Sequence, residues 1–352
     1  MKLTRKSSVA ALLTLTMGLG LFSGCERGRT ADDAKTVVAK YGNEKIYLNE
    51  ARFYAQLSQY QYEEQYAMAA YWQTELTTGY TYEDSVKDDA MAKVLQTRIL
   101  CEQADALGVS LDDEDTSKIS EAVEGFLASA EGIAIGADET LVKTIYTQNA
   151  LANKVQQELV ADTDKEVDEE QFACRDMDCI VIYPSETEDG EEDTVDEAAA
   201  AEEIQAYMEK GEAVDDIYDQ YDSDVYSMYK FNEYAVCLND EYPFSDELFG
   251  LEEEGDVVTY HDEDTDRYYV IRLTALTDEE ATADAIAKEI SSRESENFNT
   301  KYEDLKAKAK SFKVEEDVWA SVTFEEALYV VPATSAETEE TEETVEESTE
   351  AE

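Results

Sequence analysis

Few residues in this chain can end a helix or form a tight turn. Only 14 glycines and 3 prolines occur in 352 residues, whereas the two together make up about 12% of average proteins. Glycine and proline are the residues that most strongly disfavour helix interiors. The chain is therefore predicted to be mostly helical. Glycine-rich phosphate loops and the many loops of a large α/β enzyme are not expected.

The net charge excludes one class of partner. The chain has 85 Asp and Glu residues, 28 Lys and Arg residues and a formal net charge of −57. Nucleic-acid binding requires a basic surface, so no nucleic-acid partner is expected. Hydrophobic residues nevertheless make up 43% of the chain. That share is enough for a core, so disorder of the whole chain is not predicted.

The first 25 residues resemble the export signal of a lipoprotein. Basic residues precede an apolar run from Val9 to Phe22, which has the length of a signal-peptide core rather than of a membrane span. The motif Leu21-Phe22-Ser23-Gly24-Cys25 follows and resembles a bacterial lipobox, whose cysteine receives a lipid. We predict a signal peptide over residues 1–24, lipidation at Cys25 and a tether over residues 25–36. The protein would then lie outside the cytoplasm, at the outer face of the cell membrane.

Apolar and aromatic residues spaced by three and four predict an all-helical module over residues 37–165. A short hairpin around Gly42-Asn43 begins this module. The predicted helices are 50–76, 83–107, 110–127 and 139–160.

Tyrosine is unusually frequent in the first of these helices and just after it. The whole chain has 23 tyrosines against 10 phenylalanines. Many of them are expected in the core, but tyrosine also offers a large ring with a polar tip to a flexible ligand. We therefore predict that Tyr54, Tyr66 and Trp72 bind substrate.

The second half of the chain has the pattern of a small α+β domain, predicted over residues 168–277. Its elements are a strand at 179–183, helices at 197–210 and 214–221, and strands at 256–260 and 268–273. Residues 278–324 return to a helical pattern and are predicted to complete the first module. Residues 325–352 are predicted to be a disordered acidic tail. The predicted fold class is α+β, with the small domain inserted into a helical module built from both ends of the chain.

Six motifs, taken in chain order, resemble exported folding factors of the SurA and PrsA type. In that family a helical chaperone module accompanies a parvulin-type prolyl isomerase domain. Val38–Glu50 is similar to the opening of the module and Phe312–Trp319 to its ending. The motifs similar to parvulin elements are Met177–Val181, Met208–Tyr221, Pro243–Val258 and Tyr268–Leu273. The resemblance implies a chaperone or foldase whose partners are unfolded or newly secreted polypeptides.

The parvulin active-site positions do not carry the usual residues. The family places one histidine in the first strand, one in the last, and a cysteine or aspartate between them. Here the first position is Cys179, the last is Tyr269, and the middle one falls near Asp224 or Val225. Phe244 matches the phenylalanine of the proline-ring pocket. The resemblance thus implies substrate binding at Phe244 and a degenerate catalytic pair at Cys179 and Tyr269.

Three functions follow from these patterns. The first is a membrane-anchored folding factor whose isomerase domain has lost its catalytic pair. The second is an active peptidyl-prolyl isomerase with a rearranged site, because prolyl rotation requires no covalent step, only desolvation and orientation of the amide. The third is a solute-binding lipoprotein, which the missing βα alternation and cleft glycines disfavour. No motif indicates a cofactor, and nothing in the sequence sets an oligomeric state.

The cysteines of the second half allow two interpretations. In an exported domain, Cys179 and Cys237 could form a disulfide. Alternatively, Cys174, Cys179 and Cys237 could all be buried free thiols that pack as small apolar residues. Cys101 has no predicted partner in either case.

No metal site is predicted. Asp262, Asp264 and Asp266 have the spacing of a calcium loop, but Arg267 and Leu273 stand where such a loop requires glycine and glutamate. No second histidine is present to support a zinc site, since His261 is the only one.

Overall fold

The structure is a computed structural model that describes residues 32–66, 68–184, 196–221 and 225–329. The chain divides into two compact units, Met1–Ala161 with Lys301–Glu352, and Asp162–Thr300. The predicted α+β fold class is confirmed. The predicted signal peptide, the predicted lipidation site Cys25, Asp224 and the part of the predicted tail beyond residue 329 lie outside the described residues.

The described residues contain ten α-helices and nine strands. The helices are α1 (Leu48–Tyr66), α2 (Tyr82–Leu107), α3 (Asp113–Ala128), α4 (Ala130–Ile135), α5 (Glu139–Leu159), α6 (Glu197–Met208), α7 (Val214–Tyr218), α8 (Ser245–Phe249), α9 (Glu279–Lys308) and α10 (Glu316–Trp319). The strands are β1 (Val37–Tyr41), β2 (Glu44–Tyr47), β3 (Glu75–Thr77), β4 (Tyr80–Thr81), β5 (Cys174–Ile182), β6 (Met228–Cys237), β7 (Val257–Asp262), β8 (Arg267–Ala275) and β9 (Phe312–Val314).

Capping residues set the helix boundaries of the first unit. Thr81 and Asp84 form a capping box at the start of α2, and Gly108 ends that helix in the left-handed conformation with φ of +68°. Asp112 and Asp115 form the same box at the start of α3. These ends agree with the predicted helices to within a few residues.

The first predicted helix is too long. Helix α1 ends at Tyr66 rather than near residue 76, and a short hairpin, β3–β4, follows. Its turn contains Gly79 with φ of +74°, a conformation that favours glycine. Tyr82 and Glu83 then donate their backbone N–H groups to the carbonyls of Thr74 and Trp72. These bonds exclude a helix that continues to residue 76, because they require the chain to turn back.

The core of the first unit lies between α1, α2, α3 and α5, beside a three-stranded antiparallel sheet. The strand order is β2-β1-β9, so a strand from residues 312–314 pairs with one from residues 37–41. Phe53, Val94, Val142 and Ile145 are at most 1% exposed in this core. Burying such side chains is the main force that stabilises a helical unit of this kind.

An ion-pair cluster joins helices α1, α2 and α5 to strand β2. Arg98 of α2 donates from Nη2 to both carboxylate oxygens of Glu50 on α1, each at 2.8 Å. Its Nη1 donates to Gln148 of α5 at 2.8 Å, and its Nε lies 2.7 Å from a carboxylate oxygen of Glu44. Arg98 and Glu50 are both buried, so neither charge can be solvated by water if its partner is lost.

The second unit contains a four-stranded antiparallel sheet with the order β6-β5-β8-β7. One face packs against α6 and α7 through residues such as Ile180, Ile182 and Ile204. The opposite face packs against Phe244 and Leu248, just before and within α8. Strand β6 was not predicted, because bulky polar residues interrupt its pattern.

A disulfide joins the ends of β5 and β6, and its partners correct one prediction. Cys174 bonds to Cys237 with a Cα–Cα distance of 3.9 Å, at positions that face each other across the strand pair. Cys179 is a free, buried thiol. Both interpretations of these cysteines are therefore wrong: Cys179 cannot reach Cys237 because it faces Phe231, in the middle of the same strand pair, and Cys174 and Cys237 are not free thiols.

Candidate functional site

The face of the second-unit sheet that lies opposite α6 carries a continuous row of aromatic rings. We call the following seven side chains the aromatic row: Tyr229, Phe231 and Tyr234 of β6, Tyr242 and Phe244 of the loop before α8, Tyr269 of β8 and Tyr260 of β7. Successive ring centroids lie 5.0 to 6.4 Å apart, within the range in which aromatic rings attract one another.

Exposure increases from Phe244 and Tyr269 toward the β6 end of the aromatic row. Phe244 and Tyr269 are 2% and 9% exposed, whereas Tyr234 and Tyr229 are 37% and 55% exposed. The rings of Tyr242 and Phe244 stack with an interplanar angle of 18°. The row is therefore buried at Phe244 and Tyr269 and leads to exposed rings at its β6 end.

A β-bulge places Tyr234 in the row. Cys179 faces Phe231 and Met177 faces Tyr234, so β6 uses one residue more than β5 over this interval. The extra residue lets Phe231 and Tyr234, three positions apart, point to the same face. Glu233 in the bulge has φ of +46°, and its N–H donates to Asp178 at 2.9 Å.

An ion pair fixes this bulge from the other side of the strand. The carboxylate of Asp178 binds Arg272 of β8, and Arg272 also donates to the carbonyl of Glu212 at 2.6 Å. Asp178 is buried. Its two partners hold the strand pairs of β5 with β6 and β8 in register, and thereby hold the rings of the row.

Hydroxyl groups line the exposed part of the row. The hydroxyls of Tyr234 and Tyr242 lie 2.9 Å apart and share a hydrogen bond. That bond, together with burial, raises the pKa of Tyr242 to about 12. The Tyr242 hydroxyl therefore stays protonated at neutral pH, and the pair of hydroxyls offers hydrogen-bonding groups beside apolar rings.

The predicted catalytic positions lie on this same face, but they offer no general acid or base of the usual kind. Tyr269 faces Val181 and Cys179 faces Ile271 on neighbouring strands. Cys179 is 0% exposed, and burial, with a smaller contribution from Asp178, strongly raises the pKa of its thiol. A thiol in such surroundings stays protonated and unreactive. The ring of Phe244 contacts that of Tyr269 at 5.1 Å between centroids.

The single histidine of the chain lies elsewhere. His261 stacks on Tyr268 with ring centroids 4.1 Å apart, and its Nε2 lies 2.8 Å from a carboxylate oxygen of Asp266. Tyr268 packs with the cluster on the α6 face. The imidazole is therefore on the opposite side of the sheet from the aromatic row.

The acidic turn between β7 and β8 uses its own carboxylate to close the turn. Asp262 accepts hydrogen bonds from Thr265 at 2.5 Å and from the backbone N–H of Asp264 at 3.1 Å. Over the described parts of the chain, no group of three or more His, Cys, Asp or Glu side chains is arranged to hold a metal ion.

The predicted substrate-binding residues of the first unit differ in how exposed their side chains are. Tyr66 is 57% exposed, but Tyr54 and Trp72 are 6% and 2% exposed. Tyr54 donates to Asn149 at 2.9 Å, and burial raises its pKa to about 12. Trp72 donates to the buried carboxylate of Glu63 at 2.9 Å. In this structure Tyr54 and Trp72 are core residues rather than parts of a surface.

Three neighbouring tyrosines do form a surface in the first unit. Tyr62, Tyr66 and Tyr71 are 42%, 57% and 53% exposed. Tyr62 contacts Tyr66 at 5.9 Å and the edge of Trp72 at 6.2 Å between ring centroids.

Of the described helices, none is both long and apolar enough to cross a membrane.

Comparison with known proteins finds similarity in structure only. Neither a protein-family model nor a curated protein matches the sequence. The solved structures that the chain is similar to include three foldase proteins named PrsA, which belong to the group that the sequence motifs resemble. That of Lactococcus lactis is 12% identical with a TM-score of 0.28, and the match covers 81% of this chain and 97% of that one.

The other two PrsA structures give matches of the same kind. The protein from Bacillus subtilis is 13% identical with a TM-score of 0.23, over 82% of this chain and 98% of that one. The protein from Streptococcus pneumoniae is 15% identical with a TM-score of 0.27, over 70% of this chain and 95% of that one.

Proposed function

We propose that this protein is an extracytoplasmic folding factor that binds newly secreted, unfolded polypeptides and is anchored to the membrane by a lipid on Cys25. Its parvulin-like domain, residues 168–277, would act as a peptide-binding face and not as an isomerase. The helical module would be built from residues 37–165 and 278–324. The single observation that carries the proposal is the aromatic row, which is continuous from buried Phe244 to exposed Tyr229.

The row suits ligands of variable sequence. Aromatic rings bind prolyl and apolar side chains through area and not through a specific hydrogen-bond pattern. The hydroxyls of Tyr234 and Tyr242 add neutral hydrogen-bonding groups that a peptide backbone can use. A binder of many unfolded chains requires this tolerance. The net charge of −57 disfavours association of the protein molecules through their exposed rings.

The same face does not support strong isomerase catalysis. Uncatalysed prolyl isomerisation has a barrier of about 20 kcal/mol and takes about 10 to 100 s at 25 °C. Desolvation and orientation of the amide are the minimum, and parvulins add paired imidazoles that polarise the twisting amide. The two positions that carry imidazoles in parvulins are here a buried, protonated thiol at Cys179 and a tyrosine at position 269. The single imidazole lies on the other face of the sheet.

Removing the exposed end of the row is expected to weaken peptide binding. Replacing Tyr229 and Tyr234 together by alanine should weaken the affinity for an unfolded, proline-containing peptide by about tenfold, because clustered tyrosines carry a large share of binding energy. The affinity is measured by fluorescence anisotropy of a labelled peptide. Tyr47→Ala is the matched control, since Tyr47 is 36% exposed but lies in the other unit. Equal affinities in all three proteins would rule out the row as the binding face.

A further inference from the structure

An irregular segment of the first unit lies on the helices as a bound peptide would. We call residues 320–329 the docked segment. Val322, Phe324 and Leu328 are at most 5% exposed, whereas Thr323, Glu325 and Glu326 point outward. The segment follows α10 and contains no helix or strand.

Side chains of α1 and α2 satisfy the backbone of the docked segment. Glu63 accepts the N–H groups of Leu328 and Tyr329 at 2.6 and 2.8 Å. Glu83 accepts the N–H of Phe324 at 3.0 Å. These two carboxylates are themselves 3% and 6% exposed. They bind the main chain in the way that a sheet edge would, although no strand is present.

Two donors from the same helices bind carbonyl groups of the segment. Lys87 donates to the carbonyl of Val322 at 2.7 Å, and Gln59 donates to that of Glu326 at 2.9 Å. Five backbone groups of the segment are thus bound by four side chains. A site that binds main-chain groups does not depend on the identity of the ligand's side chains.

The apolar contacts are made by rings. Phe324 packs against Trp72 with ring centroids 4.9 Å apart, and Tyr329 packs against Tyr60 at 5.5 Å. Trp72 also contacts Tyr62 of the exposed tyrosine surface. The groove formed by Gln59, Glu63, Trp72, Glu83 and Lys87 therefore continues into exposed rings on which a longer ligand could extend.

From this geometry we propose that the groove is a binding site for extended segments of unfolded polypeptides, and that the docked segment occupies it in their absence. The proposal rests on the proposed function and names the class of ligand for the first unit. The ligand has apolar residues at a first, a third and a seventh position, as Val322, Phe324 and Leu328 are in the docked segment. It is bound chiefly through its backbone. A client segment binds when it displaces the docked segment.

Charge favours displacement by neutral or basic chains. The outward residues Glu325 and Glu326 add two negative charges to a strongly acidic protein, and the groove itself contains the carboxylates of Glu63 and Glu83. A ligand with lysines at those outward positions would be attracted where the docked segment is repelled. This preference should weaken as salt screens the charges.

The test uses variants in which the docked segment is held less tightly. In Phe324→Ala, a labelled peptide with the sequence of residues 319–330 is expected to bind at least about tenfold more tightly than to the unaltered protein, because the occupied fraction of the groove falls. Leu328→Ala is a second variant, in which a smaller side chain is removed from the groove. Ile145→Ala is the matched control, since Ile145 is 0% exposed in the same core but lies outside the groove.

Two further arms test the chemistry of the ligand. The same peptide with lysines at the positions of residues 325 and 326 is expected to bind about tenfold more tightly at low salt, and equally at about 1 M salt. A permanently unfolded, carboxymethylated polypeptide is expected to compete with the peptide. Folding of each variant is checked by the fluorescence of the two tryptophans, both of which are buried in this unit.

Each outcome decides the proposal. If a folded Phe324→Ala or Leu328→Ala variant binds the peptide no better than the Ile145→Ala control, the docked segment is only part of the core and the proposal is wrong. If the peptide binds but the unfolded polypeptide does not compete, the groove does not serve clients. Neither result touches the proposed function, which is tested at Tyr229 and Tyr234 in the other unit.

Discussion

Replacing Arg98 by methionine is expected to lower the free energy of unfolding of the first unit by about 3 to 5 kcal/mol, because it leaves a buried carboxylate without its cation. Glu50 accepts two hydrogen bonds from Arg98 and is buried with it. The change also removes the donor to Gln148. Glu44 loses its partner as well, but its side chain is 52% exposed and can be solvated by water.

The stability lost in Arg98→Met should increase with pH. Burial raises the pKa of Glu50 in the folded protein, and Arg98 opposes that rise. Without Arg98 the pKa rises further above its value in the unfolded chain. A raised pKa means that the folded state favours the protonated carboxyl, so stability is retained at low pH and is lost as pH increases. The defect of Arg98→Met should therefore be smaller at pH 4 to 5 than at pH 8.

Tryptophan fluorescence during urea unfolding measures this effect, because Trp72 and Trp319 are both buried in the first unit. The double variant Arg98→Met with Glu50→Leu is the control, since removal of both charges is expected to restore much of the stability. If Arg98→Met and the unaltered protein unfold at the same urea concentration, the ion pair does not stabilise this unit.

Loss of the Cys174–Cys237 disulfide is expected to destabilise the second unit by about 4 kcal/mol, according to the loop entropy that a bridge removes from the unfolded chain. The two cysteines are 63 residues apart in sequence. They join β5 to β6, the strand that carries Tyr229, Phe231 and Tyr234. The loss should therefore also weaken peptide binding to the aromatic row.

The double variant Cys174→Ala with Cys237→Ala tests this effect by calorimetry and circular dichroism. The tryptophans report only on the first unit, so their unfolding midpoint should not change. Cys101→Ser is the control, because Cys101 is a free thiol in the other unit. A reductant should destabilise the unaltered protein as much as the double variant is destabilised. If neither treatment shifts the second transition, the bridge contributes nothing to stability.

Local patterns were sufficient to predict most elements. The scarcity of glycine and proline and the three-four spacing of apolar residues predict the helices. The helices that Thr81, Asp112 and Asp138 cap begin within three residues of their predicted starts. Helix α1 is the exception. Bonds between residues 72–74 and 82–83 exclude the predicted continuation of this helix to residue 76. No local sequence pattern predicts these bonds.

The aromatic row could not be predicted in full. Phe244 and Tyr269 follow from the resemblance to parvulins, but Tyr229, Phe231 and Tyr234 lie on a strand whose alternation is shifted by a bulge. With a period of two, Phe231 and Tyr234 would point to opposite faces. Only the tertiary bonds of Asp178 to Glu233 and Arg272 show that they share one face.

The docked segment was missed for a related reason. Acidic composition predicts that disorder begins at residue 325, yet Leu328 is 5% exposed and the backbone is bound as far as Tyr329. The groups that hold it, Glu63 and Glu83, lie more than 240 positions earlier in the chain. Composition describes the solvated face of this segment but not the partners of its backbone.

Prolyl cis/trans exchange measured by NMR tests the proposed function most directly. The chain without its predicted signal peptide, and with Cys25 replaced by serine, is added in catalytic amounts to a set of Xaa-Pro peptides. We expect peptide signals to broaden through binding while the exchange rate stays at its uncatalysed value, and Tyr229→Ala with Tyr234→Ala should remove the broadening. Exchange accelerated well above the uncatalysed rate, and lost on Tyr269→Phe, would show instead that the second unit is a working isomerase.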